Sequence, residues 1–440
     1  LRFFYGGVHP HTNKELTKTL PIRQARVPSK VFIPLVQHTG VPCESTVDVG
    51  DYVKKGSIIG KCNRFVCAYI HSSVSGKVLK IENGLHPVLD YCQGIWIENN
   101  GKEEEEKLEA LDFGSCDVHT IRTRIQQAGI VGMGGAGFPT HVKISPPQDK
   151  KIDCLIINGA ECEPYITADY RLMIENPLCI WNGIKWMAKA VGYPNPIKKI
   201  VLATEQDKKG AAEIMLKTKP QVDLEVQVNT LPTMYPQGAE KQLIFALKRK
   251  EVPSGGLPMD VGAVVQNVGT CFAVHQALDE GTPLYERIVT VSGRGVRQPS
   301  NLRVRIGTTF RDCIEQCGGL DSDAYSVISG GPMMGITQHS LDVPVIKGTS
   351  AILILRKEDI KESDELQCIR CGRCIRACPI RLSPTFLVSF VKKEDMELAK
   401  KYNLLDCIEC GCCGFICPSH INLVQWLKFG KMLLRKKHER

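Results

Sequence analysis

Cys368-Ile369-Arg370-Cys371-Gly372-Arg373-Cys374-Ile375-Arg376-Ala377-Cys378-Pro379 returns further along as Cys407-Ile408-Glu409-Cys410-Gly411-Cys412-Cys413-Gly414-Phe415-Ile416-Cys417-Pro418. Three thiolates at two-residue gaps on a tight loop can cap three irons of one cubane. The fourth, set back by three residues and turned by its proline, points away to a second cubane. The spacing therefore predicts two [4Fe–4S] clusters, one on Cys368, Cys371, Cys374 and Cys417, the other on Cys407, Cys410, Cys413 and Cys378. A four-cysteine zinc site needs two CxxC pairs and has no use for the third and fourth cysteines of each run. Cys412 breaks the symmetry beside a ligand and reads as a buried bystander. Cluster potentials span roughly −700 to +450 mV, so the spacing does not set a direction of electron flow.

Outward from that run, the chain is 440 residues long, which anticipates three or four domains. Its 43% hydrophobic and 23% charged residues are those of a globular protein. The net charge of +9 is modest, and part of it lies in the tail on Lys428, Lys431, Arg435, Lys436, Lys437 and Arg440. Such a tail reads as a solvated helix end, with attraction to an acidic partner or anionic lipid second. No apolar run approaches the roughly 18 residues needed to cross a bilayer. Leu1 to Gly7 lacks the charged-then-apolar shape of a secretory signal. The expectation is a protein that is soluble or held at a membrane only through partners. Of 20 cysteines, nine fall between Cys368 and Cys417 and the rest are scattered among apolar neighbours, a pattern of metal ligation and buried thiols rather than a disulfide framework.

The first hundred residues are rich in short alternating strands punctuated by glycine, as in Val47 to Gly56 and Ser72 to Val78. These resemble the two flanks of a lipoyl/biotinyl-type barrel-sandwich. That family carries its modified lysine on the hairpin between the flanks, but Cys62 to Tyr69 has no lysine, so a swinging-arm function is excluded. Lys102 to Leu111, with its run of four glutamates, reads as a charged linker or exposed helix. His119 to Gln127 is helical in pattern, and Ile152 to Ile157 and Lys199 to Ala203 are buried strands. Alternation of helices and apolar runs to about Ala277 indicates an α/β domain with a mainly parallel sheet. Short strands return from Ile288 to Gly319, with a helix from Phe310 to Cys317. Ser329 to Gly335 is a glycine-rich loop that reads first as a tight structural turn, with a binding role second.

Gly129-Ile130-Val131-Gly132-Met133-Gly134-Gly135-Ala136-Gly137-Phe138-Pro139-Thr140 contains a nominal G-x-G-x-x-G at Gly132, Gly134 and Gly137. The dinucleotide fingerprint requires a strand before it and a helix after it. Here a helix precedes and Pro139 follows, so that assignment fails. The glycines still permit close backbone approach, and their N–H groups can cradle a phosphate. Lys143 lies just beyond, at a distance suited to a phosphate or a flavin ring.

Gly132 to Lys143 resembles the glycine-rich loop of the flavin-binding, NADH-oxidising subunit of respiratory complex I and of related hydrogenase subunits. Asn158 to Pro164, Tyr235 to Glu240 and Asn267 to Thr270 are similar to that family's further motifs, in the same order. Gly6 to Pro10, Pro34 to His38, Ile70 to Gly76 and Gly330 to Gly335 resemble one branch more closely: the RnfC subunits of the Rnf complexes, the membrane ferredoxin:NAD+ oxidoreductases. The resemblance implies a multidomain α/β chain. Its parts would be a barrel-sandwich (lipoyl-like) β domain over 1–112, an FMN/NADH-binding α/β domain over 113–284, a β-grasp-like SLBB domain over 285–357 and a helical two-[4Fe–4S] ferredoxin-like domain over 358–440.

By the same resemblance, FMN is held by Gly132, Gly134, Gly135, Lys143, Asn158, Glu161, Gly238, Glu240, Asn267 and Thr270. Glu163 lies near the nicotinamide of NAD(H), as the residue closest to catalysis, and Phe138 near the adenine side. Ala160 and Ala239 stand where the family has carboxylates. The implied activity is hydride exchange between NAD(H) and FMN, with single electrons passing through the clusters. The implied partners are integral membrane and iron–sulfur sister subunits, with ferredoxin reached indirectly and no nucleic acid. The implied place is peripheral, on the cytoplasmic face of the plasma membrane. Two other functions remain open here: the flavoprotein subunit of a soluble bifurcating hydrogenase or formate dehydrogenase, and a flavin-free electron wire.

Overall fold

The computed structural model describes residues 3–192, 196–221, 224–360 and 363–438. In the α/β part, four parallel strands stand in the order Glu225–Leu231, Lys199–Glu205, Cys154–Gly159, Ala263–Asn267. The first strand in sequence is thus central, and the chain reverses direction across the sheet between Cys154–Gly159 and Ala263–Asn267. Side chains alternate along each strand. Leu155 and Ile157 face a core shared with the helices Ala168–Glu175, Pro177–Val191, Lys209–Lys217 and Val268–Asp279. Cys154 and Ile156 face the opposite way, onto Leu243, Ile244 and Ala246 of helix Glu240–Lys248. Burial on both faces explains why these strands read as continuous apolar runs.

The N-terminal β part has two sheets. One joins Lys30–Pro34, Asp90–Asn99, Gly76–His86 and Tyr52–Val53; the other joins Glu44–Ser45, Ile58–Lys61 and Ile70–His71. The acidic stretch after them is not helical. It runs extended beside Lys55, whose N–H donates to the Glu104 carbonyl at 2.9 Å and whose carbonyl accepts from Glu106 N–H at 2.8 Å. Four consecutive glutamates repel along a helix, whereas here Lys55 and Arg305 both reach Glu103.

A six-stranded mixed sheet follows, ordered Ile22–Gln24, Ser300–Arg305, Glu286–Ser292, Ala351–Arg356, Ala324–Ser329, Ile336–Thr337. Its edge strand comes from nearly three hundred residues upstream, pairing Ile22 with Asn301 and Gln24 with Arg303 in parallel. The helix expected after Thr309 spans Phe310–Glu315, capped by the Thr309 side chain on Asp312 N–H. In the last part, helices Pro384–Lys392 and Leu423–His438 pack around Leu387, Val391, Leu404, Leu423 and Leu427. Leu427 packs inward at 2% exposure while Phe429 remains 44% exposed. Lys431 turns inward to donate to the Cys407 carbonyl at 3.0 Å. Arg440 and the side chain of Lys437 lie outside the described residues. Among the described residues no helix is long and apolar enough to cross a membrane.

Candidate functional site: a glycine loop beside two cysteine groups

The glycine loop lies where the parallel sheet reverses its strand order, over the carboxyl ends of Cys154–Gly159 and Ala263–Asn267. Open α/β sheets bind ligands at this point. Helix Val118–Gln127 precedes the loop and the short helix Thr140–Lys143 follows it, so no strand feeds it. Gly132 N–H donates to the Phe138 carbonyl at 2.8 Å and closes the loop at its neck. Thr270 Oγ1 accepts from Met133 N–H at 2.9 Å and seats it on helix Val268–Asp279. A Cβ at Gly134 would meet Asn267 Nδ2 at 3.0 Å, while Gly135 opens on free space.

Asn267 caps its helix by accepting from Gly269 N–H at 2.7 Å, and donates to Asp169 Oδ2 at 2.6 Å. Asn158 Nδ2 donates to the Gly238 carbonyl at 2.8 Å. A side chain at Gly238 would press on Cys162, Ala160 and Asn158. Lys143 Nζ meets Glu240 Oε1 at 2.7 Å on the neighbouring rim. Gln237, fully buried next to Gly238, leaves both ends of its amide unpartnered. Exposed loop backbone, glycine floors and orphaned amide atoms suit a polar, phosphate-bearing ring system such as FMN.

Glu161 and Glu163 have different surroundings. The Glu161 carboxylate accepts from Asp169 N–H at 2.6 Å and Tyr170 N–H at 3.2 Å, at the start of helix Ala168–Glu175. Glu163 reaches across to the second glycine loop, accepting from Met333 N–H at 3.1 Å and Met334 N–H at 2.9 Å. Gly331 makes this approach possible, because a Cβ there would lie 2.2 Å from Glu163 Oε2. The loop of Ser329 to Gly335 is thus a tight turn that also receives a carboxylate from the flavin side. Glu161 and Tyr165 both have positive φ, at 44° and 68°, a conformation costly for side-chain-bearing residues. Lys14, from the N-terminal segment, holds them by donating to the carbonyls of Glu161, Glu163 and Ile166 at 2.8, 2.9 and 2.6 Å.

Burial pushes the Glu163 carboxyl up to about 7, outweighing the two amides. An acid whose folded value lies above its ordinary one stabilises the fold fully below that ordinary value, and the stability is lost as pH rises through the folded value. For Glu163 that window is 4.5 to 7, with at most ~1.4 kcal/mol lost per pH unit. Denaturant unfolding should therefore show wild type losing more stability than Glu163→Gln between about pH 5 and 8. Equal losses in the two proteins would refute the raised value.

The cysteine groups lie on the other side of Tyr235. Cys378, Cys407, Cys410 and Cys413 wall one apolar cavity with Pro379, Ile380, Leu382 and Val424. Cys374 instead has Cys417 and Cys368 as neighbours. The fourth cysteine of each run therefore crosses to the other run's trio. Such a cavity, with thiols converging and N–H groups of Leu382 and Glu409 donating to Cys378 and Cys407 sulfurs at 3.3 and 3.4 Å, suits an iron–sulfur cubane. Cys412 is fully buried and also lines this cavity, with its thiol 3.9 Å from the Tyr235 carbonyl.

Tyr235 links the two regions: its hydroxyl donates to the Cys410 carbonyl at 2.8 Å and lies 3.4 Å from Glu163 Oε1. Gly7 N–H donates to the Ala377 carbonyl and Val8 N–H to the Tyr235 carbonyl, both at 2.9 Å, so the N-terminal segment is wedged between them. The group containing Cys410 is therefore the inner one, while Cys368 and Cys371 of the outer group are exposed. Lys14 and Asp169 carried no signal in sequence, because each acts on the site from a distant segment, and Met333–Met334 were marked only as part of the second glycine loop.

Four family matches tile the chain: the RnfC barrel sandwich hybrid domain over residues 2–102, the Nuo51 FMN-binding domain over 125–276, the SLBB domain over 288–337 and a 4Fe-4S dicluster domain over 360–418. Together with the site they define a flavin- and iron–sulfur-carrying electron-transfer protein, with FMN and two [4Fe–4S] clusters as its cofactors. The chain is 49% identical to the RnfC protein of the proton-translocating ferredoxin:NAD(+) oxidoreductase complex of Clostridium ljungdahlii, across 98% of this chain and 94% of that one. It is 42% identical to the counterpart in the Na(+)-translocating complex of Acetobacterium woodii, across 91% and 90%. It is 41% identical to the counterpart in the ion-translocating oxidoreductase complex of Rhodobacter capsulatus, across 99% and 84%. The chain belongs to the RnfC family, a component of the ion-translocating ferredoxin:NAD+ oxidoreductase (Rnf) complexes.

Proposed function

We propose that this chain is the NAD(H)-reacting subunit of a membrane-bound, ion-translocating ferredoxin:NAD+ oxidoreductase. The observation that carries this is the Tyr235 bridge, which joins the glycine-loop region to the inner cysteine group while the outer group faces solvent. A flavin takes up electrons as a hydride pair and releases them singly, which is the conversion needed between NAD(H) and iron–sulfur clusters. Gly134 and Gly135 present backbone N–H groups to the flavin phosphate, with Gly132 and Phe138 closing the neck of the loop. Lys143 and Glu240 form the charged rim, and Asn158, Gly238, Asn267 and Thr270 form the floor. Glu161 fixes the floor from behind through its helix cap. Glu163 borders the nicotinamide side and latches the second glycine loop. Cys378, Cys407, Cys410 and Cys413 ligate the inner cluster; Cys368, Cys371, Cys374 and Cys417 ligate the outer one.

The exposed outer group is the point of electron exchange with iron–sulfur and integral membrane sister subunits, through which ferredoxin is reached. The chain lies peripherally on the cytoplasmic face of the membrane. The full-length likeness to RnfC chains, barrel-sandwich included, favours this assembly over a soluble hydrogenase or formate dehydrogenase.

The test is anaerobic reconstitution of the isolated chain with FMN, iron and sulfide, expecting about eight irons per chain from two cubanes. NADH should bleach the flavin band. Lys143→Ala should weaken FMN binding about 10- to 100-fold, the usual worth of a hydrogen bond from a charged donor. Iron at this level without any flavin binding would leave only an electron wire, and unaltered FMN affinity in Lys143→Ala would show the rim to be misplaced.

A further inference from the structure

The barrel-sandwich part gathers soft donors far from both cysteine runs. His38, Cys43 and Cys67 are buried, at 8%, 4% and 0% exposure, with one donor atom from each lying within 4.8 Å of the others. Cys43 and Cys67 sulfurs are 3.8 Å apart. In a tetrahedral site with Zn–S bonds of about 2.3 Å, neighbouring sulfurs lie about 3.8 Å apart, the edge of the tetrahedron. His38 Nε2 accepts from Ala68 N–H at 3.3 Å, while its Nδ1 is buried and finds no hydrogen-bond partner. Cys62 is joined to Cys67 as a disulfide. A dithiol reductant, supplying two electrons and two protons, opens that bond to two thiols, so that Cys62, bonded to Cys67 in the oxidised form, becomes a further soft donor beside it.

We propose that in the reduced chain His38, Cys43, Cys62 and Cys67 hold one zinc ion. Three thiolates and an imidazole form a closed structural zinc set with no open position for chemistry. Metal uptake releases the thiol protons to solvent. The ion would pin the turn of His38 to Cys43 against the hairpin of Cys62 to Ala68. Cys43, Cys67 and Ala68 of these segments sit in the apolar core, and Gly40 packs against Val66 with no room for a side chain. The consequence reaches the flavin loop. Thr39 N–H donates to the Gly137 carbonyl at 3.1 Å, and Thr39 Oγ1 donates to the Ala136 carbonyl at 2.6 Å. The zinc-held turn is therefore the bed on which the tip of that loop rests.

The test uses the full chain with its clusters intact, kept anaerobic with a dithiol, exposed to zinc or to cobalt(II) and then freed of loose metal. Elemental analysis should find one zinc per chain beyond the iron. Cobalt should show thiolate charge-transfer bands and tetrahedral d–d bands. Cys43→Ser and His38→Gln should each lower retained zinc at least tenfold with iron content unchanged. Wild-type protein that retains no zinc while its thiols titrate as free would overturn the proposal without reference to any variant. So would full zinc retention in Cys43→Ser, which would place the metal elsewhere.

Discussion

Cys378→Ser should lose the inner cluster and keep the outer one, halving the iron from about eight to about four per chain. Along the chain Cys378 closes the first run, but the spacing assigns it to the cluster of Cys407, Cys410 and Cys413. In the fold it shares a cavity with Cys407, Cys410 and Cys413, the group that Tyr235 ties to the flavin side. NADH-driven reduction of the surviving cluster should then fall at least tenfold, because the intermediate step of the relay is gone. Cys417→Ser should give the complementary result, an inner cluster still rapidly reduced by NADH and an outer one missing. Iron analysis with electron paramagnetic resonance of NADH-treated samples distinguishes the two. Rapid reduction of the remaining cluster in Cys378→Ser would reverse the assigned order.

The second large effect concerns stability. Gly183 lies within helix Pro177–Val191, where it crosses helix Val268–Asp279. A Cβ there would stand 1.7 Å from the Cys271 carbonyl oxygen. Backbone cannot rotate aside as a flexible side chain would, so the helices must separate. Overpacking a core costs typically 1–3 kcal/mol and occasionally more, so Gly183→Ala is expected to lose roughly 3 kcal/mol or more. Helix Val268–Asp279 begins at Asn267 and carries Thr270, so the same separation should loosen the flavin floor. Denaturant unfolding of the apo and FMN-loaded forms would measure both; a loss under about 1 kcal/mol would show that the two helices yield easily.

The glycine loop shows how far local sequence carries. Its failure to fit the dinucleotide fingerprint was legible, since a predicted helix and Pro139 flank it, and the structure has helices on both sides. The second glycine loop was legible as a turn and as a stretch resembling RnfC subunits, but not as the dock for Glu163. Its partner Glu163 is 170 residues away, as measured to Met333, and a turn signal contains nothing about what will dock on it. The acidic stretch after Lys102 was ambiguous between linker and helix, because its charges are resolved by Lys55 and Arg305, which propensity does not see.

By itself the sequence determined the cysteine runs, the strands of the parallel sheet and the presence of a flavin-type loop. Each of these depends on spacing within a dozen residues, where ligand geometry and backbone period impose a pattern. The tertiary structure alone decided which cysteine group is inner, what holds the strained Glu161–Tyr165 loop, and that Ile22–Gln24 completes a sheet whose other strands begin at Glu286. The reason is physical. Hydrogen bonds from Lys14, Tyr235 and Glu163 join segments brought together by burial of apolar surface, and burial has no fixed separation along the chain.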